Sequence, residues 1–157
     1  MEQWRGKYAL VTGASAGIGF TIAEGLLHNE EEILALFKEI QTEFRHADIL
    51  VNNAGGGDYG TLTHQSTADW GKRLDLNVLS TAICTREALN LLEKNHFEEA
   101  NIININSVAG HENIAVTGPG FNFCSGTKHM LTALTKALHT ELVQKKNEIR
   151  ATLRSPV

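Results

Sequence analysis

The chain has 157 residues, of which 42% are hydrophobic and 20% charged, proportions that suit one globular domain spanning residues 1–157 with a core of its own. Its formal net charge of −4 comes without a basic block, which argues against a nucleic-acid partner. No stretch is apolar and long enough to span a membrane, no leader-like segment precedes the first expected strand, and the two cysteines, Cys84 and Cys124, lack metal-ligand spacing, so the expected setting is a reducing cytoplasm.

Tyr8-Ala9-Leu10-Val11 reads as a first strand, and residues 18–27 read as a helix. Between them lies the glycine-rich turn Thr12-Gly13-Ala14-Ser15-Ala16-Gly17-Ile18-Gly19. Strand, glycine-rich turn and helix together can hold a dinucleotide pyrophosphate. The glycines let the backbone approach the phosphates, and the helix N-terminus presents free N–H groups. The spacing is not G-x-G-x-x-G, and a tight strand-to-helix connection is the alternative reading.

Next, Ile33, Leu36, Phe37, Ile40 and Phe44 recur at helical spacing and predict an amphipathic helix over 30–45. Asn29 and Glu32 stand at the positions of a capping box. Asp48 to Asn53 reads as a strand closed by Ala54-Gly55-Gly56-Gly57. Ser66 or Thr67 can cap a helix over 68–94, with Trp70, Leu74, Val78, Ile83, Leu89 and Leu92 on its apolar face. A strand over 101–106, a loop over 108–120, a helix over 122–143 and a strand over 149–153 complete the series. Strands alternating with helices predict an α/β fold with a parallel sheet.

Four signals stand in order: Thr12-Gly13…Gly17-Ile18-Gly19, Asn52-Asn53-Ala54-Gly55, Asn106-Ser107 and Ser125-Gly126-Thr127-Lys128. Together they resemble the short-chain dehydrogenase/reductases over nearly the whole chain. The wording of residues 82–88 and 102–111 resembles the cytosolic, NADP-preferring branch that includes insect farnesol dehydrogenases. The resemblance implies a Rossmann-like doubly wound parallel sheet. It also implies hydride exchange between NADP(H), rather than NAD(H), and a small alcohol or carbonyl compound, with no metal. Gly13, Ser15, Gly17, Ile18 and Gly19 would form the pyrophosphate turn, and Asn53, Ala54 and Gly55 would lie beside the adenosine ribose. Asn77 would hold a water in a proton relay, and Ser107 would hydrogen-bond the substrate oxygen. Lys128 would bind the nicotinamide ribose and lower the pKa of a tyrosine one helical turn before it. Relatives often dimerise through the helices that correspond to 68–94 and 122–143. Read singly, Asn77 is equally a satisfied core residue, Asn52 to Gly55 a strand-ending turn, Ser107 a loop cap and Lys128 a solvated helix lysine.

The chain departs from this pattern in three places. Position 124, where the family has its tyrosine, is Cys124, and neither Tyr8 nor Tyr59 lies near Lys128 in sequence. A thiol is acidic enough to donate a proton, but it is shorter than tyrosine by about 4 Å, so Cys124 is expected not to reach the substrate oxygen. Family strands two and three, which carry the residue that chooses NAD or NADP, have no counterpart between Gly19 and Asn52, and Ala16 removes a basic position used by NADP-binding relatives. At the C-terminus, relatives continue where this chain reads Ser155-Pro156-Val157, and Arg154 is charged where they are apolar or small. The expectation is an internally deleted, C-terminally truncated and therefore incomplete Rossmann-like domain that is weak or inactive as an oxidoreductase. The alternatives are a non-catalytic homo- or heterodimer partner of a full-length relative, or a fragment without a stable fold. Loss of strands two and three leaves Tyr8 to Val11 at a sheet edge, and it makes residues 20–47 the least stable region. Residues 30–45 would then join a displaced rod with the preceding helix or lie across the sheet edge, unless strand 48–53 pairs differently.

Overall fold

The computed structural model describes residues 5–14, 30–57, 59–112, 120–145 and 147–156. The helix expected over 18–27, the cap at Asn29 and the turn residues Ser15, Ala16, Gly17, Ile18 and Gly19 lie outside the described residues. In chain order the elements are β1 (Ala9–Val11), α1 (Glu30–Glu43), β2 (Ile49–Asn52), α2 (Thr67–Leu74), a π-helical turn (Asp75–Leu79), α3 (Ser80–Lys94), β3 (Glu99–Ile105), a short 3-10 turn (Val108–Gly110), α4 (Asn122–Lys145) and β4 (Glu148–Arg154). The strands form one sheet in the order β1-β2-β3-β4, and every pairing is parallel.

Local chemistry explains the boundaries. Ser66, not Thr67, caps α2, its hydroxyl accepting the Asp69 N–H at 3.1 Å. After α1, Arg45 takes a left-handed conformation (φ 71°), and His96 does the same after α3 (φ 58°), each turning the chain out of its helix. The expected single helix over 68–94 is corrected. Residues Asp75–Leu79 form a π turn between α2 and α3, and a π turn shifts the phase of the side chains that follow it.

Period-2 burial along the strands builds one core face. Leu10, Leu50, Ile102 and Ala151 line up across the four strands. Leu50 and Ile102 pack with Ile33, Phe37 and Ile40 of α1, Cys84, Ala88, Leu91 and Leu92 of α3, and Leu142 of α4. A polar row crosses the same layer. Asn52 Nδ2 donates to Asn104 Oδ1 at 2.8 Å and to Thr85 Oγ1 at 3.0 Å, and Asn104 Nδ2 donates to Thr135 Oγ1 at 2.9 Å. Buried amides paired in this way fix the register of β2 and β3 under α3 and α4.

Ala9, Leu10 and Val11 pair with Ile49, Leu50 and Val51 in parallel, so strand 48–53 does not pair differently. Because α1 buries Ile33, Phe37 and Ile40 in the core, it is not displaced from the domain. β1 ends the strand order, as expected of an edge strand.

Asp48 anchors the start of this edge. It is 4% exposed, and its carboxylate accepts from the Tyr8 backbone N–H at 2.8 Å, from Lys7 Nζ at 3.1 Å and from His46 Nε2 at 3.2 Å. Burial pushes its pKa up, but these donors outweigh burial and hold it below the ordinary carboxylate value. A depressed native pKa gives stability that is present above the unfolded pKa and lost as pH falls through the native one. Urea midpoints measured from pH 7 to pH 2 should therefore fall on acidification with an Asp48 component. Asp48→Asn should be less stable at neutral pH and lose that component. An acid profile unchanged in the variant would remove Asp48 from the anchor.

Candidate functional site

The C-terminal ends of the strands carry the site. Beyond β1, Thr12 Oγ1 accepts the N–H groups of Asn53 and Ala54, each at 3.1 Å. Asn53 Nδ2 donates back to the carbonyls of Thr12 at 3.1 Å and Gly13 at 3.0 Å. The start of the glycine-rich turn is thus stitched to the Asn53-Ala54-Gly55 segment. Gly13 has φ +61°, and a Cβ there would lie 2.6 Å from Ala54 Cα. Only glycine permits both that conformation and that approach.

The π turn aims Asn77 at the segment after β2. Asn77 is 1% exposed. Its Nδ2 donates to the Gly56 carbonyl at 3.0 Å and to Thr127 Oγ1 at 2.9 Å, and its Oδ1 accepts the Gly56 N–H at 2.9 Å. The side chain clamps the Gly55–Gly57 segment to α4. Two of the partners in this clamp, Gly56 and Thr127, were not singled out from the sequence, although Thr127 sits inside the Ser125-Gly126-Thr127-Lys128 signal.

Ser107 follows β3 and caps the 3-10 turn, its Oγ accepting the Ala109 N–H at 3.2 Å, which leaves its O–H able to donate. Lys128 lies on α4, and its Nζ donates to the Ile105 carbonyl at 3.2 Å. Burial holds its pKa below the ordinary lysine value, partly opposed by charge interaction with Cys124. Cys124 occupies the first turn of α4. Its Sγ donates to the Gly56 carbonyl at 3.4 Å and receives Asn77 Nδ2 at 3.8 Å.

Asn53, Gly55, Ser107, Phe121, Cys124 and Lys128 line a cavity of about 330 Å³. The fold therefore brings Asn53, Gly55, Ser107, Cys124 and Lys128 to one cavity, with Asn77 behind it. Gly13 and Ala54 join it through the Thr12–Asn53 hydrogen bonds. Phe121 carried no sequence signal. A Cβ on Gly57 would lie 3.0 Å from its ring and 3.5 Å from Cys124 Sγ, so the ring packs against the Gly57 backbone close to the thiol. Among the described residues no cluster of metal-ligating side chains occurs.

The cavity joins Ser107 and Lys128, which the resemblance assigns to the substrate oxygen and the nicotinamide ribose, to Asn53 and Gly55, which it assigns to the adenosine ribose. At Gly55 a Cβ would come within 3.3 Å of both Lys128 Nζ and Asn77 Oδ1, so the bare backbone leaves the lysine open to the cavity.

Comparison with known proteins agrees with this geometry. Residues 25–156 match the family model described as short chain dehydrogenase. Dehydrogenase/reductase SDR family member 11 of Gallus gallus is 36% identical over 195 residues, covering 99% of this chain and 76% of that protein. Farnesol dehydrogenase of Aedes aegypti is 30% identical over 202 residues, covering 99% and 78%. Among solved structures, 4-hydroxyisoleucine dehydrogenase complexed with NADH aligns with a TM-score of 0.80 at 26% identity, covering 96% of this chain and 74% of that one. ElxO with NADP bound aligns with a TM-score of 0.77 at 26% identity, covering 96% and 73%. The two sequence matches run over 195 and 202 residues, whereas this chain has 157. The relatives thus hold residues inside the matched span that have no counterpart here, as an internal deletion requires. The chain belongs to the short-chain dehydrogenase/reductase family of oxidoreductases, in an internally shortened form.

Proposed function

We propose that this chain is a cytoplasmic, NADP(H)-preferring oxidoreductase for alcohols or carbonyl compounds of the farnesol type, working far below the rate of a complete enzyme. The observation that carries the reading is the convergence of Ser107 and Lys128 on one cavity beside Asn53 and Gly55. The similarity to farnesol dehydrogenase supports the substrate class, and the NADP(H) preference follows the resemblance of residues 82–88 and 102–111 to the NADP-preferring branch. The dinucleotide, when bound, supplies or accepts the hydride. Ser107 donates its O–H to the substrate oxygen, Lys128 holds ribose hydroxyls with its ammonium, and Asn77 fixes the cavity floor. Cys124 stands where a proton donor is needed, but its thiol is engaged with the Gly56 carbonyl. NADPH fluorescence on binding, followed by assays with NADP and a panel of alcohols including farnesol, tests the reading. Binding with slow, farnesol-dependent NADP reduction is expected, and an absence of binding would overturn it.

We also propose that two copies pair through residues 68–94 and 122–143. A groove between α3 and α4 is lined by exposed Leu134 and half-buried Leu89 and Leu138, between charges of both signs, Arg86 and Lys145 with Glu93 and Glu141. Because charges of both signs flank the leucines, opposite charges can meet when two copies pair about a two-fold axis. Light scattering should report a dimer, and Leu134→Glu should give a monomer with unchanged circular dichroism. A monomeric wild type would contradict the pairing.

A further inference from the structure

The cavity has a reactive chemistry that hydride transfer does not use. Cys124 lies in the first turn of the 24-residue helix α4, so its sulfur sits at the positive end of that helix dipole. Lys128 follows one turn later and lines the same cavity. Among the described residues its hydrogen-bond acceptor is the Ile105 carbonyl, with no carboxylate partner. Asn106 also lines the cavity. It is 4% exposed, and although its Nδ2 donates to Thr132 Oγ1 at 2.8 Å, its Oδ1 has no hydrogen-bond partner. Ser107 adds an O–H to the same wall. A nucleophile, a cation and a hydroxyl donor therefore line one cavity of about 330 Å³, large against the roughly 30 Å³ of one water molecule.

We propose that Cys124 is a covalent attachment site for α,β-unsaturated aldehydes and ketones held in this cavity. The inference rests on the carbonyl-binding reading above, but it needs no dinucleotide. Lys128 and Ser107 donate to the carbonyl oxygen and draw electron density away from the β-carbon. Cys124 Sγ attacks that carbon, an S–C bond forms, and the C=C pair moves onto the carbonyl as an enolate. The proton released by the thiol reaches the α-carbon through Lys128, giving a saturated thioether aldehyde or ketone. Nothing leaves, and no external oxidant or reductant takes part.

Cys84 provides an internal control. It is fully buried, and burial pushes its thiol up to about 12, so it should stay inert in the folded chain. The test treats the full chain with crotonaldehyde, fixes adducts with borohydride and locates them by peptide mass spectrometry, with butanal as the saturated control. One adduct at Cys124 is expected, formed at least about tenfold faster than on N-acetylcysteine at the same pH, with Cys84 unmodified. Lys128→Gln should remove the acceleration and Lys128→Arg should keep most of it. A wild-type rate at Cys124 no greater than that of N-acetylcysteine, or equal modification of Cys84, would overturn the proposal whatever the variants do. NADPH binding measured in parallel separates the two readings. Binding without accelerated addition refutes the attachment site alone, and loss of binding refutes the oxidoreductase reading.

Discussion

Cys124→Tyr is expected to raise turnover by no more than about a hundredfold and to leave it below about 1 s⁻¹. The wild-type chain should show only trace turnover, because reduction of a carbonyl needs a proton at its oxygen as hydride reaches its carbon. The thiol proton is engaged with the Gly56 carbonyl at 3.4 Å and is not offered to the substrate oxygen. A positioned acid contributes about 10²- to 10⁴-fold, and the lower end is expected here for two reasons. The new ring must share its space with Phe121, which already packs against the Gly57 backbone near Cys124. The dinucleotide is also expected to be held poorly, since among the described residues β1 pairs directly with β2 and ends the strand order. Steady-state rates of both proteins with NADP and a panel of alcohols including farnesol check this. Wild-type turnover of about 1 s⁻¹ or more would show that a tyrosine is not needed. Full activity in the single mutant would show that the internal shortening matters little.

Gly13→Val is expected to be the most damaging single substitution at the start of the turn, costing about 3 kcal/mol or more. A left-handed backbone strains any branched residue by about 1–3 kcal/mol. The added Cβ would also lie 2.6 Å from Ala54 Cα and 2.9 Å from Ala54 N, backbone atoms that cannot swing aside. The hydrogen bonds from Asn53 to Thr12 and Gly13 sit on the same contact, so relief of the clash opens the β1–β2 junction. Two controls separate strain from collision. Gly6 has φ +80° with nothing within 4 Å of a Cβ, so Gly6→Ala should cost only about 1–2 kcal/mol. Gly126, inside α4, has open space and no positive φ, so Gly126→Ala should stabilise by about 0.5–1 kcal/mol. Urea denaturation ranks the three, and a Gly13→Val midpoint equal to that of Gly6→Ala would dismiss the contact with Ala54.

Much of the fold was legible in the residues. The 3.6-residue spacing from Ile33 to Ile40 marked α1, and the β-branched run at 101–106 marked β3, which begins two residues earlier, at Glu99. The edge position of β1 followed from the short connection between Gly19 and Asn52. The π turn at Asp75–Leu79 was not legible, because its residues fit an ordinary helix and only the Asn77 contacts with Gly56 and Thr127 reveal the change of phase. In the site, Ser107, Cys124 and Lys128 were legible from the resemblance to the short-chain dehydrogenase/reductases, whose motifs mark their positions. The clamp made by Asn77, the ring of Phe121 and the anchor at Asp48 depend on groups that are distant in sequence, and no local pattern announces them. The hydrogen bonds of Asn53 to the turn carbonyls likewise appear only in three dimensions.

Isothermal titration of the wild-type chain with NADPH and with NADH is the most direct measurement. An internally shortened chain that keeps this cavity should bind NADPH with a dissociation constant of about a micromolar or weaker, a free energy of roughly −8 kcal/mol or less in magnitude. NADH should bind no better, and Lys128→Gln should weaken both. Binding of NADPH at about ten nanomolar, undiminished in Lys128→Gln, would contradict this: the dinucleotide would then be held by something other than the cavity built from Asn53, Gly55, Ser107 and Lys128.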